Sequence, residues 1–147
     1  MNPHPMDLRV DQFRGRHVFV AGGSSGINFG IAQAFARAGA RLFIISRSAD
    51  KVAAAVAALQ ALGTDAQGQS ADVRQPDALQ AAFAAAVARF GPIDVLISGA
   101  AGNFLARATD MSPNAFKTVV DIDLLGSFNV VRAAHAHLRK PGASVVQ

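Results

Sequence analysis

The chain has 147 residues, 51% of them hydrophobic and 16% charged, with a formal net charge of +4. That suits one globular domain with a sizeable core, and no apolar run is long enough to span a membrane. There is no cysteine, tyrosine or tryptophan, so disulfides and thiolate metal sites are excluded and no metal is expected. Nucleic acid is a poor fit, because Lys and Arg form no run and neither Tyr nor Trp is present to stack on bases. A phosphorylated small molecule suits the basic balance better. The missing cysteine leaves the compartment open, and cytoplasmic is the default expectation. Met1–Val10 has no apolar stretch of the kind a signal peptide needs.

Residues 1–15 read as a polar arm ending in a turn at Arg14-Gly15, and residues 16–147 as one domain. A first strand is predicted at His17–Ala21, where an apolar run stops at Gly22-Gly23. A first helix follows from about Ser25 to Ala38, with Ile27, Ile31, Phe35 and Ala38 at helical spacing and Gly39 past its end. A second strand spans Arg41–Ser46. Ser48 is a plausible N-cap for a second helix with the stripe Val52, Val56, Leu59 and Leu62, stopped by Gly63. Residues 65–71 form a more polar third strand. Pro76 suits the first turn of a third helix, whose stripe is Leu79, Phe83, Val87 and Phe90 and whose end is Gly91. Ile93–Ile97 is a fourth strand. Ser112-Pro113 opens a long fourth helix running to about Arg139, with Asp121 and Asp123 inside it. His135 and His137 read as surface residues. Ala143–Gln147 reads as the start of a buried fifth strand, so the chain is expected to be the N-terminal part of something longer.

Strand and helix alternate with short connections. That pattern predicts an α/β fold: a Rossmann-type, doubly wound parallel sheet in a three-layer α/β/α sandwich. Ligands of such sheets bind beyond the C-terminal strand ends, where the loops 22–26, 46–48, 71–74 and 98–104 gather. Gly22, Gly23, Ser24, Ser25, Gly26 and Ile27 make a glycine-rich turn into a helix. Such a turn can close on phosphate, or it can be an ordinary tight connection. Arg47 and Ser48 follow the second strand with no acid before Asp50. An acid there suits the ribose hydroxyls of NAD, whereas an arginine beside hydroxyls suits the 2′-phosphate of NADP(H). The alternative is a solvated turn arginine. Asp72 and Val73 end the third strand, and the Asp72 carboxylate can accept from an adenine amine or cap the third helix ahead of Pro76. After the fourth strand, the small residues Ala100 and Ala101 let a flat ring pass close to backbone, or make another tight turn. Asp123 shares a helix face with Val119, Val120 and Ser127. A carboxylate there needs a partner or a raised pKa, unless the helix kinks near Gly126 and exposes it.

Ala21-Gly22-Gly23-Ser24-Ser25-Gly26-Ile27, Asp72-Val73 and the Ala-Ala-Gly turn after Ile93–Ile97 together resemble the short-chain dehydrogenase/reductases, from about Phe13 onward. Gly99–Phe104 and Asn114–Asp123 are similar, more narrowly, to the peroxisomal-type 2,4-dienoyl-CoA reductases and their bacterial relatives. The resemblance implies that residues 22–27 hold the cofactor pyrophosphate, Arg47 and Ser48 the adenosine end, and Asp72 the adenine. It implies acyl-CoA contacts at Arg74 and Phe104, with Ser112 and Asn114 nearby, and a proton-delivering role for Asp123. It also implies a homo-oligomer, a tetramer built partly on the fourth helix. The chain departs from the family at Ala21, where a threonine is usual, at Asn28, where the fingerprint has its third glycine, and at Ser98, where an asparagine is usual. The family's Ser, Tyr and Lys lie beyond the fifth strand. The expected function is NADPH-dependent reduction of a 2,4-dienoyl-CoA or related enoyl thioester. The alternatives are a ketone or 3-oxoacyl reductase and a non-catalytic nucleotide-binding fragment.

Overall fold

The computed structural model describes residues 11–147, so Met1–Val10 of the expected arm lies outside the described residues. The strands β1 (His17–Ala21), β2 (Arg41–Ser46), β3 (Ala66–Ser70), β4 (Val95–Ser98) and β5 (Ser144–Val146) form one sheet in the order β3-β2-β1-β4-β5. Every neighbouring pair is parallel. The helices α1 (Gly26–Arg37), α2 (Ala49–Gln60), α3 (Pro76–Phe90), α4 (Pro113–Val120) and α5 (Gly126–Ala134) lie between them in the chain. The chain winds outward from β1 through β2 and β3, then returns to the other side of β1 for β4 and β5. That reversal puts α1 and α2 on one face and α3 and α5 on the other, as right-handed crossovers require.

A sheet covered on both faces needs apolar residues on both sides of its central strands, and all five residues of β1 are buried. Val18 and Val20 pack with Leu42, Ile44, Ala32 and Leu59 on the α1–α2 face. Phe19 and Ala21 pack with Phe43, Phe83 and Leu96 on the other. There the Phe19 ring stacks on Phe83 at a centroid distance of 4.2 Å and on Phe43 at 5.6 Å.

Five expectations are corrected, the first being that of a buried fifth strand: β5 is exposed along its length. Ile27 does not join the buried stripe of α1: it is 84% exposed, and the buried positions are Ala32 and Ala36, flanked by partly buried Phe29, Ile31 and Phe35. Alanines let the helix lie close to the sheet, while Ile27 sits in the first turn, ahead of the contact. Leu62 is exposed because α2 has already ended at Gln60. The fourth helix is not one α-helix. Asp121–Leu125 form a π turn between α4 and α5, and a 3-10 turn at His135–His137 closes the run. Just after the π turn, Gly126 is buried against Val73, where a Cβ would stand 2.6 Å from Val73 Cγ2. Finally, His137 is half-buried, with its ring 6.0 Å from Phe83 and parallel to it, whereas His135 is exposed. The described part of the arm is docked, too: Phe13 meets the Phe35 ring edge-on at 4.8 Å and donates its N–H to Ala38 O at 2.9 Å.

The N-terminal edge of the sheet is locked by buried Asp94. Its carboxylate accepts from Arg16 Nη1 at 3.0 Å, Arg139 Nε at 2.5 Å and the His17 N–H at 2.9 Å. Burial pushes this carboxyl up, but Arg139, the His17 N–H and Arg16 outweigh it and hold it below its ordinary value. The neighbouring His17 is fully buried, with Nδ1 donating to Gly91 O at 2.8 Å and Nε2 unpartnered. Burial pushes its imidazole below the ordinary value of 6.5, and the Gly91 carbonyl only partly opposes this. The unfolded chain therefore takes up a proton near pH 6.5 that the folded chain resists. Stability present above that pH is lost as pH falls from there through the folded pKa. Urea unfolding at pH 8 and pH 5 is expected to show this loss, and His17→Phe is expected to flatten it. An equal loss in the variant would remove His17 as its source.

Candidate functional site

The C-terminal ends of β1, β2, β3 and β4 border a cleft of about 690 Å³. Strand register sets its geometry. Ala21 pairs with Ile45 on one side and Ser98 on the other, so the turns leaving the three strands start level. Gly22 has φ +80°, and a Cβ on it would stand 2.9 Å from Ala100 Cα. Only glycine lets the first turn run this close to the backbone that leaves β4.

The N–H groups of Gly22 and Gly23 both go to Ile45 O, at 2.8 and 3.2 Å. Gly23 is buried under the turn and is not part of the cleft wall. These two glycines therefore shape the turn, and the donors available to a ligand belong to the start of α1. The first N–H groups of a helix lack intrahelical partners. Ser25, at the N-cap, makes no side-chain capping bond. Ser24, Ser25, Gly26 and Ile27 all line the cleft, so a bare helix N-terminus, with its partial positive charge, opens onto it. Ala21 offers no hydroxyl to brace the turn. Instead Ser24 Oγ donates to Ser46 Oγ at 2.8 Å. At the position of the fingerprint's third glycine, Asn28 packs through its side chain, with Nδ2 2.6 Å from Gly99 O.

Arg47 and Ser48 line the β2 end of the cleft. The Ser48 hydroxyl also caps α2 by accepting the Lys51 N–H at 3.4 Å. The cap puts Lys51 in the first turn of α2, and Lys51 lines the cleft as well. A cation there is opposed by the helix dipole, a position that a bound anion would relieve. Sequence reasoning missed Lys51. Its signal was available, since an N-cap at Ser48 fixes residue 51 in the turn beside Arg47. Asp50 is exposed and lies outside the cleft wall.

Asp72 lines the cleft and is also bound by Arg74. It accepts the Arg74 N–H at 2.9 Å, Nε at 3.0 Å and Nη2 at 2.5 Å. The Arg74 guanidinium holds the Asp72 carboxyl below its ordinary value, against the opposing effect of burial. The carboxylate lines the cleft and ties down the turn at Arg74, but it does not cap the third helix, since α3 has Gln75 at its N-cap and no side-chain capping bond. Val73 lines the cleft with its side chain buried, and its carbonyl accepts from Asn129 Nδ2 at 3.1 Å.

Ala100 and Ala101 line the opposite wall with Gly99, Asn103 and Ile122. Asp123 does not lie on a buried apolar face. It is exposed on the π turn, and its Oδ1 accepts the Gly102 N–H at 2.8 Å. Asp121 pairs with Lys117 at 2.5 Å. Asp123, Arg74, Phe104, Ser112 and Asn114 all lie outside the cleft wall. Phe104 is 49% exposed, Ser112 caps α4 through the Ala115 N–H at 3.1 Å, and the Asn114 carbonyl accepts from Thr118 at 2.8 Å. Among the described residues, no group of three or more His, Asp or Glu side chains is placed to hold a metal ion.

Known proteins resemble this chain in sequence and in fold. The sequence profile of the family described as short chain dehydrogenase matches residues 16–147. The peroxisomal 2,4-dienoyl-CoA reductase of Arabidopsis thaliana is 43% identical over 133 residues, covering 90% of this chain and 45% of its own. That of Rattus norvegicus is 45% identical over 137 residues, covering 92% and 47%. The chain thus spans about half the length of these curated relatives. Among solved structures, an actinorhodin polyketide ketoreductase with NADPH superposes with a TM-score of 0.77 at 29% identity, covering 81% of this chain and 46% of its own. The cytoplasmic expectation is corrected, since both curated relatives are named as peroxisomal enzymes and a lack of cysteine excludes disulfides without choosing a compartment. The profile match, the identities and the shared fold place this chain in the short-chain dehydrogenase family.

Proposed function

We propose that the cleft binds NADP(H), and that the protein reduces a 2,4-dienoyl-CoA or a related enoyl-CoA thioester. Arg47 and Lys51 carry the cofactor reading. Both line the cleft beyond β2, where the adenosine ribose lies in dinucleotide folds, and no carboxylate ends that strand. Two cations there suit a 2′-phosphate. The uncapped start of α1 suits the pyrophosphate, and Asp72 suits the adenine amine. Ala100 and Ala101 leave room for a flat ring against backbone. Residues 16–147 are then the nucleotide-binding domain.

When bound, NADPH supplies a hydride for the far end of the conjugated diene, and the reduced substrate needs one proton. Asp123 Oδ1 is held by the Gly102 N–H, while Oδ2 has no partner among the described residues and can hold a proton source. Arg74, freed from Asp72, would meet a CoA phosphate, and Phe104, Ser112 and Asn114 would be further acyl-CoA contacts. The substrate reading is supported by the names of the two curated relatives. A ketone or 3-oxoacyl substrate is the second reading, favoured by the likeness to a ketoreductase. Exposed Phe116, Leu124, Leu125 and Phe128, along the run from α4 to α5, support a homo-oligomer.

Two outcomes are expected. Arg47→Ala or Lys51→Ala should weaken NADPH binding by about tenfold or more, since each removes a charge-assisted contact of roughly 1.5–3 kcal/mol, while NADH binding stays within about twofold. Equal loss for both nucleotides contradicts the 2′-phosphate assignment. Asp123→Asn keeps an acceptor for the Gly102 N–H and removes the carboxylate. In the full-length protein, dienoyl-CoA turnover should fall by about 100-fold or more with NADPH affinity retained. Unchanged turnover removes Asp123 from the chemistry, and turnover of ketones alone favours the second reading.

A further inference from the structure

Asn28 and Gly99 meet at the end of the cleft remote from Arg47 and Lys51, and both line it. Asn28 Nδ2 donates to Gly99 O at 2.6 Å. The same carboxamide also fills the space that a side chain at position 99 would occupy. A Cβ on Gly99 would collide with Asn28 Oδ1, and would stand 2.5 Å from Nδ2 and 2.6 Å from Cγ. Both residues are only partly buried beside the cleft, so the overlap is relieved by turning the flexible carboxamide. An alanine at 99 must therefore push the carboxamide aside and break its hydrogen bond. The two positions share one volume, supplied entirely from the α1 side.

This contact joins two parts of the cleft that the strands alone do not hold together. On one side is the first turn of α1, whose unpaired N–H groups face the cleft. On the other is the segment leaving β4, which Asp123 holds from elsewhere through the Gly102 N–H. The segment 99–102 is thus fixed at both ends, by Asn28 and by Asp123. If the adenosine phosphate lies at Arg47 and Lys51, the nicotinamide half lies at this end. We infer that Asn28 is a positioning residue for the nicotinamide half of the dinucleotide, coupled to Gly99 so that the two positions act as one unit. Asn28 acts through the backbone it holds, setting the gap between the phosphate-facing turn and the wall at Ala100. The ligand part of this inference rests on the NADP(H) reading, whereas the packing part does not.

The test is a double-mutant cycle in the full-length protein with Asn28→Ala, Gly99→Ala and the pair. Alanine keeps α1 helical, so Asn28→Ala removes the contact without breaking the element. Melting temperature and affinities for NADPH and adenosine 2′,5′-bisphosphate are measured for all four proteins. Asn28→Ala is expected to weaken NADPH binding by about five- to tenfold, the loss of one net hydrogen bond. The bisphosphate, which carries the adenosine end and its 5′-phosphate but no nicotinamide half, should stay within about twofold. Gly99→Ala should lower the melting temperature by roughly 1–3 °C, the loss of about one hydrogen bond, and adding Asn28→Ala should leave it no lower than in Asn28→Ala alone, because the new methyl enters the vacated space. Additive losses in the double variant overturn the coupling. Equal weakening of NADPH and the bisphosphate by Asn28→Ala overturns the positioning role, since general loosening of the domain would act on both. Failure of the unsubstituted protein to bind either nucleotide sinks the NADP(H) reading and the positioning role with it, while the melting-temperature cycle still decides whether 28 and 99 share one volume.

Discussion

The cleft depends on one close approach between two backbones. The turn after β1 passes the segment after β4 so tightly that a Cβ at Gly22 would stand 2.9 Å from Ala100 Cα. Parallel register makes this possible, because Ala21 is level with both Ile45 and Ser98. Once the Gly22 and Gly23 N–H groups are committed to Ile45 O, the chain must turn into α1 with its first N–H groups aimed outward. The uncapped helix start, the Ser24–Ser46 bond and the Asn28–Gly99 contact all follow from that path.

The two edges of the sheet carry opposite electrostatic designs. At the N-terminal edge, buried Asp94 is saturated by Arg16, Arg139 and the His17 N–H, so the strands are tied where nothing needs to enter. At the C-terminal edge, Arg47 and Lys51 form no ion pair among the described residues and stand with the bare start of α1, although the Asp72 carboxylate on the same wall feels Arg47. A fold that ties its charges at one end and leaves two cations unpaired at the other suits an anion at the open end.

Much of this was legible in the sequence. The bounds of β1, β2 and α3 were readable because β-branched runs meet the Gly22-Gly23 pair and because Pro76 and Gly91 bracket the third helix. The alternation of elements gave the parallel sheet, and with it the gathering of the four loops at one edge. Other features depend on partners far away in the chain. A π turn at Asp121–Leu125 has no period that separates it from an α-helix, so the exposure of Asp123 and its bond to Gly102 were hidden. Asn28 reads as a missing glycine until Gly99, 71 residues away, is seen to leave it room. Ile27 fits a helical stripe by spacing, yet the first turn of α1 precedes the sheet contact. Lys51 was within reach of the capping pattern and needed only to be placed beside Arg47.

The central claim is that one nucleotide occupies this cleft from Lys51 to Asn28. The most direct measurement is amide chemical-shift mapping during an NADPH titration. The account predicts that the resonances of Ser24 to Asn28, Arg47 to Lys51 and Gly99 to Gly102 move together along one saturable curve, and that residues at the Asp94 edge stay still. Shifts confined to the exposed run from Phe116 to Phe128, or no saturable shift at Ser24 to Asn28, would contradict it.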